Sequence, residues 1–131
     1  MTLLDGLDAR IDFAFLCDAA GGGADGKLQA KGIGVDTFTA ERLPALLQLT
    51  LIVRASGTAF PACLVRVTDA DDHTLASEPL RVRIAQPAGD RPAKFAVLAA
   101  LLVPVGHPGE FRLDIEAGGR QLHSISFWVV R

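Results

Sequence analysis

The end of the chain carries the clearest strand pattern. From Phe111 to Ala117, apolar residues alternate with charged ones, as in a strand with one buried and one solvated face. The pair Gly118-Gly119 follows, and glycine tolerates the positive φ of a tight hairpin turn. A second alternating run extends from Ser124 to Val130. Because two strands alone are only marginally stable, this pattern predicts a β-hairpin that belongs to a larger sheet.

The register of this hairpin requires one additional residue. With a two-residue loop, Leu113 would lie opposite Ser124, and Ile125 would share a face with the charged residues of the first strand. A shift of one residue pairs Leu113 with Ile125 and exchanges every side chain of the strand between the two faces. We therefore expect either a three-residue loop with a left-handed glycine or a bulge near Leu122–His123.

Short alternating runs of the same kind recur along the chain, separated by turns rich in glycine, proline and aspartate. In the first run, the odd-numbered residues from Ile11 to Cys17 are predicted to face the core. In the run from Lys27 to Thr39, the apolar phase changes at Gly32-Ile33-Gly34, which predicts a bulge. Glu78-Pro79 marks an edge strand, because proline cannot donate to a ladder. The remaining runs are Leu47 to Ala55, Cys63 to Val67 and Phe95 to Val103.

Turn signals at intervals of about 8 to 12 residues, without a long helical period, favour an all-β fold. We predict an immunoglobulin-like antiparallel β-sandwich of about seven or eight strands. The 131 residues suit a single domain, 1–131.

The composition limits which binding partners and which cellular compartment we expect for this protein. The net charge of −2 gives no electrostatic reason to expect nucleic acid or an anionic membrane as partner. No apolar run approaches the roughly 20 residues of a membrane helix, and acidic residues stand where a signal peptide would be basic. These features predict a cytoplasmic protein. Cys17 and Cys63 are predicted to be buried, unpaired thiols.

The segment Asp69–His73 is the densest cluster of possible metal ligands. Carboxylates spaced as in Asp69, Asp71 and Asp72 can supply oxygen ligands to calcium, but the complete EF-hand pattern is absent. Aspartate also dominates ordinary turns because its side chain bonds to the local backbone. The segment is therefore either a hairpin turn or a weak cation site.

The sequence contains no recognisable catalytic constellation. The histidines His73, His107 and His123 lie in three different segments, and none has a metal-ligand spacing. No nucleophile-elbow motif occurs, and the serines have no recognisable base. We expect neither an enzyme nor a bound cofactor.

Two strands carry apolar residues on both faces. On the last strand, Trp128 and Val130 point away from the predicted core side, and Leu98 and Leu102 do the same in the run from Phe95. If these four residues adjoin, they form an exposed apolar surface of the kind that marks interfaces. The alternative is that other parts of the same chain cover them.

The segment from Leu16 to Asp36 resembles the opening hairpin of DUF6941, a family of uncharacterised bacterial proteins. The Pro-Gly-Glu-Phe and Gly-Gly-Arg-Gln-Leu segments near the end are also similar, although the family usually has Tyr where this chain has Phe111. The resemblance implies a bacterial β-sandwich and no known activity. The matching positions of the opening hairpin are Asp18, Ala19, Gly26, Lys27, Leu28, Gly32 and Gly34.

The sequence therefore favours a non-catalytic protein-interaction or structural module of a bacterial assembly, with a protein partner or a second copy of itself. The alternative is a ligand- or cation-binding β-sandwich module that uses the Asp69–His73 loop.

Overall fold

The computed structural model describes residues 9–22, 28–57, 62–88 and 91–131. Within these ranges the protein is all-β, and no helix is long and apolar enough to cross a membrane. The strands are β1 (Ala9–Cys17), β2 (Ala19–Gly22), β3 (Leu28–Lys31), β4 (Thr37–Thr39), β5 (Ala45–Gly57), β6 (Cys63–Thr68), β7 (Thr74–Leu80), β8 (Val82–Ala88), β9 (Arg91–Val105), β10 (Gly109–Ala117) and β11 (Arg120–Val130).

The strands form two large sheets around one hydrophobic core. The four-stranded sheet has the order β1-β5-β9-β8, and the five-stranded sheet has the order β4-β11-β10-β6-β7. β2 and β3 pair separately as a two-stranded sheet. The buried core cluster draws on both large sheets, including Leu51 of β5, Val97 of β9, Val65 of β6 and Phe111 of β10. Each large sheet therefore has an inner face on this core and an outer face that points away from it.

The expected count of seven or eight antiparallel strands is wrong, because the described residues form eleven strands and β4 pairs with β11 in parallel. The expected single strand Lys27–Thr39 is divided into β3 and β4, which belong to different sheets. The run around Glu78-Pro79 is likewise divided at Arg81, and its halves, β7 and β8, are edge strands as expected. A strand pattern in sequence does not reveal a change of sheet, because the alternation can continue across it.

The glycines Gly32 and Gly34 mark a crossing between the sheets rather than a bulge. Both have positive φ, and the N–H of Gly34 donates to the carbonyl of Leu16 at the end of β1. A Cβ at position 32 would overlap the Asp18 carboxylate, so a side chain there would require Asp18 to move, in addition to the positive φ that glycine tolerates. Of the other residues that carry the family resemblance, Gly26 and Lys27 lie outside the described residues.

The register expected for the last hairpin is confirmed. Leu113 pairs with Ile125, and the register shifts between Ile115 and Glu116, where Leu122 is the additional residue on β11. The turn itself is the two-residue Gly118-Gly119 loop, with φ of 58° and 78°. Of the two expected solutions, the bulge near Leu122–His123 is the one that the chain adopts, and it keeps the apolar residues of both strands on the core.

The face expected for the first strand is wrong over most of its length. The register of β1 against β5 shifts between Ile11 and Phe13, which makes Asp12 a bulge residue. After the bulge, Ala14 and Leu16 face the core cluster, while Phe13 is 46% exposed. The residues Ala14 and Leu16 are apolar as well, so the alternation in sequence did not reveal the bulge.

Candidate functional site

The outer face of the four-stranded sheet is largely apolar. Phe15 of β1, Ile52 of β5 and Leu98 of β9 lie side by side in register across the three strands. Toward the N-terminal end of β5, Leu102 of β9 lies opposite Gln48. Leu46 lies beyond Gln48, at the start of β5. We call this surface the apolar face, and its residues are Phe13, Phe15, Leu46, Ile52, Leu98 and Leu102.

Part of the apolar face is exposed to solvent. Leu46 is 62% exposed, Leu102 is 58% exposed, and Phe13 is 46% exposed, whereas Ile52 is buried and Leu98 is half-buried. Phe13 and Phe15 stack with their ring centroids 5.7 Å apart. Large apolar side chains that are exposed on one face are a common feature of interaction surfaces.

The four interface residues expected from sequence do not form one patch. Leu98 and Leu102 lie on the outer face of the four-stranded sheet, whereas Trp128 and Val130 lie on β11 in the five-stranded sheet. The side chains of Phe127 and Val129 are in the core cluster, so Trp128 and Val130 point outward on the opposite side of the core. Trp128 is 48% exposed and Val130 is 38% exposed. Sequence patterns identified both outer faces but not their separation.

A polar cluster lies at one end of the apolar face. The hydroxyl group of Ser56 donates a hydrogen bond to the Asp12 carboxylate, and Lys94 Nζ lies 2.7 Å from Ser56 Oγ. Lys94 Nζ is also 3.4 Å from Asp12 Oδ2, and Arg10 Nε is 3.3 Å from Asp12 Oδ1. Burial alone would raise the pKa of Asp12, but the hydrogen bond from Ser56 and the positive charge of Lys94 outweigh it and lower the pKa.

This cluster resembles a serine–lysine pair, but its charges suit a structural role. A lysine that activates a serine must accept a proton, and it therefore has to be uncharged. Here the amine pairs with the Asp12 carboxylate, and Ser56 is buried. The network instead fixes the bulge of β1 to β5 and β9. The sequence does not reveal this network, because residues 12, 56 and 94 are far apart in the chain and meet only through strand pairing.

The Asp69–His73 loop is a hairpin turn organised by one carboxylate. Asp69 Oδ1 accepts hydrogen bonds from the backbone N–H groups of Asp71 and His73, both at 2.9 Å. Asp69 Oδ2 lies 3.1 Å from His73 Nδ1. The backbone hydrogen bond from His73 is the main cause that lowers the pKa of Asp69, which burial partly opposes. Both oxygens of Asp69 are therefore engaged within the turn.

The structure brings together only part of the expected cation ligands. Ligand atoms of Asp69, Asp71 and His73 lie within 4.8 Å of one another. Asp72 does not belong to this group: it has a positive φ of 63°, and its carboxylate lies 3.7 Å from the Arg112 guanidinium. The turn accounts for the cluster without an ion, as the local-backbone interpretation of these aspartates expects.

Charged residues on the outer face of the five-stranded sheet pair with one another. Arg66 contacts Glu116 at 3.3 Å, and Arg112 Nε donates to Asp114 Oδ2 at 3.0 Å. Asp114 is only 3% exposed, and its other oxygen has no protein partner among the described residues, nor does the hydroxyl group of Thr68. Arg66 and Arg112 therefore pair with Glu116 and Asp114 on this sheet.

Both cysteines are buried and unpaired, as expected. Cys63 lines a groove of about 390 Å³ beside Gly118 and Gly119, near the Arg66–Glu116 pair. Burial raises the pKa of the Cys63 thiol to about 11, and burial followed by the charge of Asp18 raises the pKa of Cys17. Since the thiolate is the reactive form, these thiols are unreactive at neutral pH.

Comparison with known proteins bears on the fold and the family. No curated protein matches the sequence. Among solved structures, the chain is similar to the Pseudomonas fluorescens alkylpurine DNA glycosylase AlkC bound to DNA containing an abasic site analog, with a TM-score of 0.54 and 12% sequence identity. The similarity covers 96% of this chain and 31% of that chain, so this chain spans about a third of the length of its structural neighbour. At this identity the similarity shows the fold alone.

The family itself follows from the sequence. The profile of the family of unknown function DUF6941 matches residues 12–130, which run from the bulge residue of β1 to the last residue of β11. The protein therefore belongs to the family DUF6941.

Proposed function

We propose that the protein is a non-catalytic interaction module that self-associates through the apolar face. The single observation that carries the proposal is the exposure of Phe13, Leu46 and Leu102, each between 46% and 62%, on the outer face of one sheet. Burying apolar surface of this kind contributes roughly 25 cal/mol per Å².

The charges at the rim of the apolar face favour a second copy in an antiparallel arrangement. Within the described parts of β1, β5 and β9, the charged residues of the outer face cluster near Arg54 and Lys94 at one end. From Leu46 to Arg54 the strand extends by about 26 Å, at roughly 3.3 Å per residue. Two copies packed with opposite strand directions would separate their basic ends by more than the ~8 Å screening length of physiological salt. A parallel arrangement would oppose like charges.

We further propose that the two large sheets make an immunoglobulin-like sandwich. The shared core and the two outer faces support this proposal. In AlkC, a protein bound to DNA, the comparable fold covers 31% of the chain. The net charge of −2 gives no electrostatic support for DNA as a partner here. The two unpaired thiols support a cytoplasmic location.

The test is the molar mass in solution, measured by light scattering after size exclusion from about 1 to several hundred µM. We expect the mass of the wild type to approach that of a dimer as concentration rises. Leu102→Asp should remain a monomer, because it places a charge on an exposed part of the apolar face. The matched control is Trp128→Asp, an exposed aromatic residue on the opposite outer face, which should still dimerise.

Two outcomes would refute the proposal. The first is a wild type that stays monomeric at every concentration. The second is dissociation by Trp128→Asp and not by Leu102→Asp, which would move the interface to the five-stranded sheet. Circular dichroism of each variant establishes that it is folded, and both substituted positions are about half exposed.

A further inference from the structure

We draw no further inference here: the strongest candidate, the surface patch of Trp128 and Val130 on the outer face of the five-stranded sheet, is exposed, but nothing in the structure shows what covers it.

Discussion

Ser56 donates a hydrogen bond to Asp12 at the point where β1 bulges against β5. The bulge turns Phe13 and Phe15 to the outer face and Ala14 and Leu16 to the core. One polar contact between residues 44 positions apart is therefore associated with the exposure of the aromatic residues that contribute to the apolar face.

The ionisation of Asp12 should make the free energy of unfolding depend on pH. The pKa of Asp12 is lower in the folded protein than in the unfolded chain, where it is about 4. The contribution of Asp12 to the free energy of unfolding is therefore complete above the unfolded-state pKa and is lost as the pH falls through the folded-state pKa. We expect Asp12→Asn to lower the free energy of unfolding by about 1 kcal/mol at pH 7, because it weakens hydrogen bonds to a charged acceptor. Urea denaturation from pH 2 to pH 7 tests this. A wild-type advantage that does not shrink at low pH would contradict the assignment.

The protein should fold without the additional residue in β11, but it should not fold stably when the pairing register of β10 and β11 is changed. Deletion of Leu122 removes the bulge residue and leaves Leu113 paired with Ile125, so we expect a folded protein. Deletion of both Leu122 and His123 moves Ile125 and Phe127 to the outer face. Losing a buried Phe alone costs about 3–5 kcal/mol, which approaches the lower end of the roughly 5–15 kcal/mol by which domains are stable.

Circular dichroism and urea denaturation compare the two deletions directly. A two-residue deletion as stable as the one-residue deletion would show that the hairpin register is not fixed by the core.

Gly32 should tolerate substitution less well than Gly34. Both have positive φ, which costs a residue with a Cβ about 1–2 kcal/mol, but only at Gly32 would the Cβ also collide with Asp18. We therefore expect Gly32→Ala to lower the melting temperature more than Gly34→Ala. Adding Asp18→Ala to Gly32→Ala should recover part of the loss. Equal effects of the two glycine substitutions would exclude the collision as the cause.

The Asp69 turn should matter for folding and not for calcium. Asp69→Asn should lower the melting temperature at pH 7, because the lowered pKa of Asp69 stabilises the fold above its unfolded value and this stabilisation fades as the pH falls. Asp71→Asn removes the same charge from an exposed position and serves as the control. We expect millimolar calcium to leave the melting temperature unchanged, since both oxygens of Asp69 are engaged. A saturable increase that Asp71→Asn abolishes would establish the alternative cation-binding function.

Local alternation was sufficient to predict which residues face the core where one face of a strand is apolar and the other is charged. The inner residues of β10, such as Leu113, follow from the pattern, and the bulge at Leu122 follows from requiring both hairpin strands to share a dry face. The burial of the Cys63 thiol follows in the same way. Period two and the chemistry of tight turns act over a few residues, so the sequence by itself determined the all-β class and the closing hairpin.

Only the tertiary structure decided which strands meet and which outer faces adjoin. Both phases of β1 are apolar after Asp12, so its bulge depends on the partner groups Ser56 and Lys94 from β5 and β9. Leu102 and Trp128 are both outward-facing apolar residues of a strand pattern, but they lie on different sheets. Pairing between distant strands is governed by the packing of the whole core, and a periodic pattern does not encode which sheet a strand joins.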